Sequence, residues 1–144
     1  MFDLLKKWMI GIVVVLLASC QTEPEPIAFG KDQCHYCKMT IADPKFGAEL
    51  ITDKGRIYKY DAAECVVNQL AEESTRYQML LAVAHNNPKQ LYPMNSLVFV
   101  ISPEFRSPMG ANLAAFYRPT TQDLPSDTQL LSWNEVRQLL KNQK

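Results

Sequence analysis

The sequence predicts an α+β fold made of two small ββαβ-like units with antiparallel sheets. Two observations lead to this class. Short segments with apolar residues at alternate positions are joined by turn residues and followed by a segment with helical spacing. In addition, a Gly-Ala-x-Leu pattern occurs at Gly47–Leu50 and again at Gly110–Leu113, which suggests that one plan is used twice.

The first unit is predicted to open with a β-hairpin. Residues 47–52 and 56–60 both alternate between polar and apolar side chains, and the turn Asp53-Lys54-Gly55 lies between them. A short glycine-containing turn between two alternating segments is typical of a hairpin.

A helix and a third strand are expected next. Asp61 has the position of a helix N-cap, with Glu64 three residues later as in a capping box. Apolar residues at helical spacing between Cys65 and Leu70 extend this helix. The apolar run Met79–Ala84 fits the strand that completes the first ββαβ unit.

The second unit is predicted from a similar but less regular pattern. Leu97–Ile101 is an apolar run bounded by serine and proline, as expected of a buried strand. The repeated Gly-Ala-x-Leu pattern favours a strand within Met109–Tyr117. Leu130–Trp133 fits a late strand, and Asn134 has the position of an N-cap for a terminal helix that reaches Leu140.

The N-terminus is typical of a bacterial lipoprotein signal. Lys6 and Lys7 precede an apolar run of about ten residues, and Leu17-Ala18-Ser19-Cys20 closes the run with small residues and a cysteine. A transmembrane helix would need about twenty apolar residues. We therefore expect residues 1–19 to be removed and Cys20 to be acylated, so that the mature protein is anchored in the cell envelope and faces the periplasm. The signal does not decide between the inner and the outer membrane.

The predicted mature chain consists of a tether and one domain. Residues 20–30 are polar and rich in proline, as in a tether, and residues 31–144 form the domain, with possible halves at 31–90 and 91–144. Removing the signal takes two basic and one acidic side chain from 15 of each, which leaves a net charge near −1. A charge this close to zero gives no indication of nucleic-acid binding.

The segment Cys34–Met39 (CHYCKM) carries the chemistry of the chain. It places two thiols, an imidazole and a thioether within six residues. Copper(I) prefers thiolate and thioether ligands over carboxylates. Cys37 and Met39 would share a face on an extended chain, whereas a turn would join Cys34 to Cys37 as in metal knuckles. His35 is a weaker candidate ligand.

Other interpretations of these residues stay open. The two cysteines of the segment could form a disulfide or a redox pair in an oxidising compartment. A structural zinc site could use Cys34, Cys37, Cys65 and His85. Cys65 is expected mainly as a buried structural residue and as a weaker candidate ligand. No Ser-His-Asp arrangement, phosphate loop or catalytic carboxylate pair is evident in the sequence, so we do not expect an enzyme.

The motifs resemble those of the NosL family of copper lipoproteins that serve nitrous oxide reductase. The resemblance rests on Cys-x-x-Cys-x-Met, on the Phe-Gly-Ala-Glu sequence that follows, on residues 54–65 (KGRIYKYDAAEC) and on Pro108-Met109-Gly110. It implies two related ββαβ units, Met109 as a further copper ligand, and copper(I) delivery to the machinery that assembles the reductase's catalytic centre. The family's fold is similar to that of organomercurial lyase, so a thiol-dependent enzyme is an alternative, as is a zinc-binding docking domain.

Overall fold

The computed structural model describes residue 1, residues 22–126 and residues 128–142. Apart from residue 1, the predicted signal peptide lies outside the described residues, as does Cys20. No helix in the described ranges has the length and apolar character that crossing a membrane requires. The elements in these ranges are β1 (Ala48–Thr52), β2 (Ile57–Tyr60), α1 (Ala63–Glu72), β3 (Tyr77–Ala84), β4 (Asn87–Pro93), a 3₁₀ turn (Met94–Ser96), β5 (Val98–Ile101), β6 (Leu113–Phe116) and α2 (Trp133–Lys141).

The first sheet has four antiparallel strands in the order β2-β1-β3-β4. The predicted hairpin is present: Ala48 lies opposite Tyr60, and Gly55 takes the positive φ of +77° that the turn between the strands requires. Strand β4 was not predicted, because it contains Pro88 and Pro93. Proline is tolerated in strands at sheet edges, and β4 is an edge strand.

The second sheet consists of β5 and β6, which pair antiparallel with Ile101 opposite Leu113. The strand predicted around Leu131 is reduced to a single bridge between Leu131 and Phe99. The predicted α+β class with small antiparallel sheets is confirmed. In the described residues, the second unit contains two strands, this bridge and α2.

Both helices begin differently from the predictions. The N-cap of α1 is Ala62, which makes no side-chain cap hydrogen bond, so the capping box of Asp61 and Glu64 is wrong. Both carboxylates are buried and have other partners: Asp61 accepts from the Ala42 amide, and Glu64 accepts from a serine in a later loop. The cap of α2 is not Asn134 but Ser132, which forms a full capping box with Glu135.

The main core lies on one face of the first sheet. Alternate residues of the strands point toward α1, α2 and the second sheet, as the two-residue period of a strand requires. Burial of this apolar surface is the main source of stability. The cluster contains Leu50, Tyr60, Val66, Leu80, Phe99, Leu113, Trp133 and Val136.

The opposite face of the first sheet is covered by residues 22–32, which contain a turn after Ala28 and which we call the strap. Its Glu25 amide donates to the buried Glu49 carboxylate, and Pro26 O accepts from Lys59. A Cβ at position 47 would meet the side chain of Ile27 at 2.8 Å, so glycine allows the strap to lie close to the sheet. Part of the predicted tether therefore contributes to the fold.

Candidate metal centre

The segment that bears the first two thiols folds as a tight turn, which we call the metal loop (residues 34–39). The Cys34 amide donates to Met39 O at 2.8 Å, and the Lys38 amide donates to Cys34 O at 3.0 Å. Lys38 takes a positive φ of +63°, which closes the turn. Of the two predicted arrangements, the turn that joins Cys34 to Cys37 is the one found.

The metal loop is attached to both the first sheet and α1. The His35 amide donates to Lys59 O of the edge strand β2 at 2.8 Å. The His35 ring stacks on Tyr58 with centroids 4.0 Å apart. On the other side, the Tyr36 hydroxyl donates to the Glu72 carboxylate at 2.6 Å. These contacts hold the loop between β2 and the C-terminal end of α1.

Three thiols meet at this position. The Sγ atoms of Cys34, Cys37 and Cys65 all lie within 4.8 Å of one another, and all three cysteines are free. Cys65 comes from the first turn of α1, which directly follows β2. Cys34 and Cys65 are buried, whereas Cys37 is partly exposed. We call these three residues the thiol cluster.

Hydrogen bonds favour one thiolate within the cluster. The pKa of Cys34 is lowered to about 5 by a hydrogen bond from Cys65, assisted by the backbone of Asp61 and Cys37. The same hydrogen bond raises the pKa of Cys65, and burial raises the pKa of Cys37. The negative charge is therefore concentrated on Cys34. A thiolate is the form of cysteine that binds a metal.

The spacing of the cluster fits a metal ion. Two sulfurs that each lie about 2.3 Å from one metal are at most about 4.6 Å apart. The three Sγ atoms of the cluster are at most 4.8 Å apart, which is close to that value. A small movement of the side chains toward one another would therefore let all three sulfurs bind one ion. Thiolate-only sets suit soft or borderline metals, such as copper(I) and zinc.

The two methionines predicted as ligands have exposed side chains. Met39, at the end of the metal loop, is 62% exposed, and Met109 is 38% exposed. Met94, by contrast, is 1% exposed and belongs to the main core. The thioethers of Met39 and Met109 are thus accessible to a metal or to a partner, and their ligand roles stay predictions.

The loop that carries Met109 is tied to the helix of Cys65. The Ser107 hydroxyl donates to the Glu64 carboxylate, which lies next to Cys65 in α1. The same hydroxyl oxygen accepts from the Leu113 amide at 3.2 Å. Sequence reasoning missed this role of Glu64, because its spacing from Asp61 matched a capping box.

Neither histidine belongs to the thiol cluster. Among the described residues, the group of side chains close enough to share a metal contains only the three cysteines. The ring of His85 packs among Phe46, Phe105 and Phe116, with centroids 5.0 to 5.6 Å away, and burial lowers its pKa. The four-ligand zinc set that included His85 is therefore wrong, because aromatic packing holds this side chain elsewhere.

Comparisons with known proteins give one structural likeness. No protein-family model matches the chain, and no curated protein matches it. A solved structure, the crystal structure of the copper chaperone NosL from Shewanella denitrificans, superposes with a TM-score of 0.63 over 80% of this chain and 96% of that one. The two sequences are 16% identical, so the likeness concerns the fold. This chain has a NosL-like fold.

Proposed function

We propose that the protein is a copper(I)-binding chaperone. The observation that carries the proposal is the thiol cluster, in which Cys34, Cys37 and Cys65 meet within 4.8 Å on a NosL-like fold. The structural neighbour is a copper chaperone. A soft three-sulfur site and a fold used for copper transport lead to the same conclusion.

The ligand set favours copper(I) over zinc. Structural zinc sites have four protein ligands in a closed tetrahedral shell. Here three thiols are grouped, the two histidines are engaged in ring packing, and the exposed Met39 lies in the same loop. Three sulfur ligands at low coordination number suit copper(I), whereas among the described residues the fourth ligand of a structural zinc site is not grouped with them.

The unequal burial of the thiols suits a protein that gives up its metal. Cys34 and Cys65 are covered by the core, and Cys37 lies at the surface. An incoming sulfur ligand from a recipient can therefore replace Cys37 first, while the two buried thiols still hold the ion. A closed four-ligand shell would offer no such entry point.

The anchor and the recipient belong to the same proposal. The lipobox that ends at Cys20 supports a lipid-anchored protein on the periplasmic side of the cell envelope. The motif resemblance supports delivery to the assembly of the catalytic copper centre of nitrous oxide reductase.

Copper(I) titration of the reduced protein under anaerobic conditions tests the binding. The protein competes with a coloured copper(I) chelator, and we expect one equivalent bound by the wild type. Cys37→Ser should lose stoichiometric binding with the fold intact, because a hydroxyl is a poor ligand for a soft ion. Met94→Leu is the matched control and should bind normally. Tight zinc in the purified protein, with no copper uptake, would overturn the proposal.

Delivery is tested in cells that produce nitrous oxide reductase but lack this protein. Restoring the wild-type chain should yield reductase loaded with copper at its catalytic centre. Restoring Cys37→Ser should yield a copper-poor reductase. Full loading in the complete absence of this protein would refute the delivery role and leave copper binding unaffected.

A further inference from the structure

The strap begins at the turn end of the β1–β2 hairpin. Thr22, its first residue, lies directly against Gly55, because a Cβ at Gly55 would collide with Thr22 Oγ1. The following residues are fixed to the sheet through Glu25, whose amide donates to Glu49 and whose carboxylate pairs with Lys59 at 3.5 Å. The place where the chain enters the domain is thus defined.

Because the chain enters the domain at Thr22, the turn end of the hairpin must lie close to the lipid that is attached to Cys20. Thr22 lies two positions after Cys20, with only Gln21 between them, and two residue steps span at most about 7 Å in any conformation. This step rests on the lipid anchor proposed above and is independent of copper binding. With Cys20 acylated, the hairpin end faces the membrane surface.

A groove with basic side chains lies at this end. Its volume is about 730 Å³, and it is lined by Thr52, Asp53, Lys54, Arg56, Tyr58, Ser74 and Arg76. Arg76 pairs with Asp53 at 2.9 Å, and both side chains of this pair are exposed. The lining carries three positive charges and one negative charge. Glu23, next to Thr22, offsets one further positive charge.

We propose that this groove binds the phosphate headgroup of an anionic phospholipid and fixes the orientation of the domain on the membrane. Guanidinium and ammonium groups near a bilayer are attracted to anionic lipids. The metal loop pairs with Lys59, near the opposite end of β2. At about 3.3 Å per residue, Lys59 lies about 10 Å along β2 from Arg56. The metal loop also borders the groove, because the His35 ring stacks on Tyr58 of its lining. We expect the bound headgroup to leave the thiol cluster on the side of the groove that faces the periplasm.

Lysine labelling in vesicles tests the orientation. The mature lipoprotein is incorporated into vesicles of phosphatidylcholine with or without phosphatidylglycerol, treated with an amine-reactive reagent and analysed by mass spectrometry. We expect labelling of Lys54 to fall about fivefold in the anionic vesicles. One cation near an anionic surface contributes about 1 kcal/mol of binding free energy, which equals a factor of about five. Labelling of Lys38, in the metal loop, should not change.

Paired variants separate the groove from overall charge. Arg56→Gln/Arg76→Gln should restore Lys54 labelling to its value in neutral vesicles. Lys89→Gln/Lys141→Gln removes the same charge outside the groove and should leave Lys54 protected.

Several outcomes would overturn the proposal. They are equal labelling of Lys54 in both kinds of vesicle, protection of Lys38 instead of Lys54, or protection of Lys54 by inorganic phosphate without vesicles. The mass of the Cys20 peptide reports acylation separately, and a peptide without acyl chains would also overturn it. Failure of copper binding would not affect any of these readouts.

Discussion

At the scale of single residues, Cys65 shows what a sequence can and cannot predict. Its place on the first turn of a helix was predicted, and so was its burial. Its contact with Cys34 and Cys37 was predicted only as the weaker alternative, because it lies 28 positions after Cys37 in the sequence. Local spacing identifies ligands within one turn, whereas a ligand from another element depends on how the elements pack.

Replacing Cys65 should therefore weaken copper binding. Replacing a residue that only hydrogen-bonds to a metal ligand typically lowers metal affinity 10- to 100-fold. Cys65 is a candidate ligand itself, so we expect Cys65→Ser to lower copper(I) affinity by roughly tenfold or more. Chelator competition measures this change, and circular dichroism checks the fold. If Cys65→Ser binds copper(I) as the wild type does, Cys65 is a packing residue.

The exposed methionines offer a second test at this scale. Met39→Leu and Met109→Leu keep volume and apolar character but remove sulfur, so the free energy of unfolding should change by less than ~1.5 kcal/mol. Copper(I) affinity should fall clearly in both. Met94→Leu, at a buried position, is the control and should leave affinity unchanged. Normal copper affinity in Met109→Leu would remove Met109 from the ligand set.

At the scale of elements, the strap and the first sheet enclose an acidic side chain. Glu49 is fully buried, and its Oε1 accepts from the Glu25 amide. Its Oε2 has no hydrogen-bond partner among the described residues. Burial raises the pKa of Glu49 to about 7 from the usual 4.5. The folded protein therefore favours the protonated form.

This shift predicts that stability falls as the solution becomes alkaline. The stabilising effect of the protonated form is complete below pH 4.5 and is lost as the pH rises through 7. The shift corresponds to a contribution of about 3 kcal/mol from Glu49 to the free energy of unfolding at low pH. Urea unfolding at pH 5.5 and 8.5 should show about 2 kcal/mol of it, because the effect is not yet complete at pH 5.5, and Glu49→Gln should show a smaller difference between the two pH values. An equal pH dependence in both proteins would contradict the assignment.

The loop of Met109 is held by the buried Ser107 hydroxyl, which donates to Glu64 and accepts from the Leu113 amide. Ser107→Ala leaves the buried Glu64 carboxylate without its hydroxyl donor, and this should cost about 1 to 3 kcal/mol in the free energy of unfolding. Ser96→Ala is the control, because the Ser96 hydroxyl is exposed and donates only to Pro93 O. Urea unfolding compares the two. Equal stability of both variants would mean that the loop does not need this contact.

The elements also show where sequence patterns mislead. The hairpin, α1 and β3 follow patterns set by neighbouring residues, and these were predicted. The caps of both helices were predicted wrongly. In α1, the two carboxylates at cap spacing make tertiary contacts instead of capping the helix. In α2, a complete capping box begins at Ser132, two residues before the predicted cap. Strand β4 was missed, because whether proline is tolerated depends on a position in the sheet that the sequence does not reveal.

At the scale of the whole molecule, the thiol cluster joins the metal loop to α1. A metal that binds only the folded state stabilises it, by about 2.7 kcal/mol at a free concentration of 100 times Kd. For a domain of this size, that should raise Tm by several degrees. Differential scanning calorimetry with and without copper(I) measures the shift. Cys37→Ser should show none, and an equal shift in that variant would indicate binding outside the cluster.

The position of the strap also has a mechanical consequence. The chain enters at Thr22, passes Glu25 and Lys59, and reaches Cys34 only after the strap has packed against Gly47. A pulling force on a lipid anchor would therefore act first on the contacts between the strap and the first sheet. The metal loop would be loaded only after these contacts broke. With the proposed lipid anchor in place, the strap would bear such a load first, and the thiol cluster would keep its geometry.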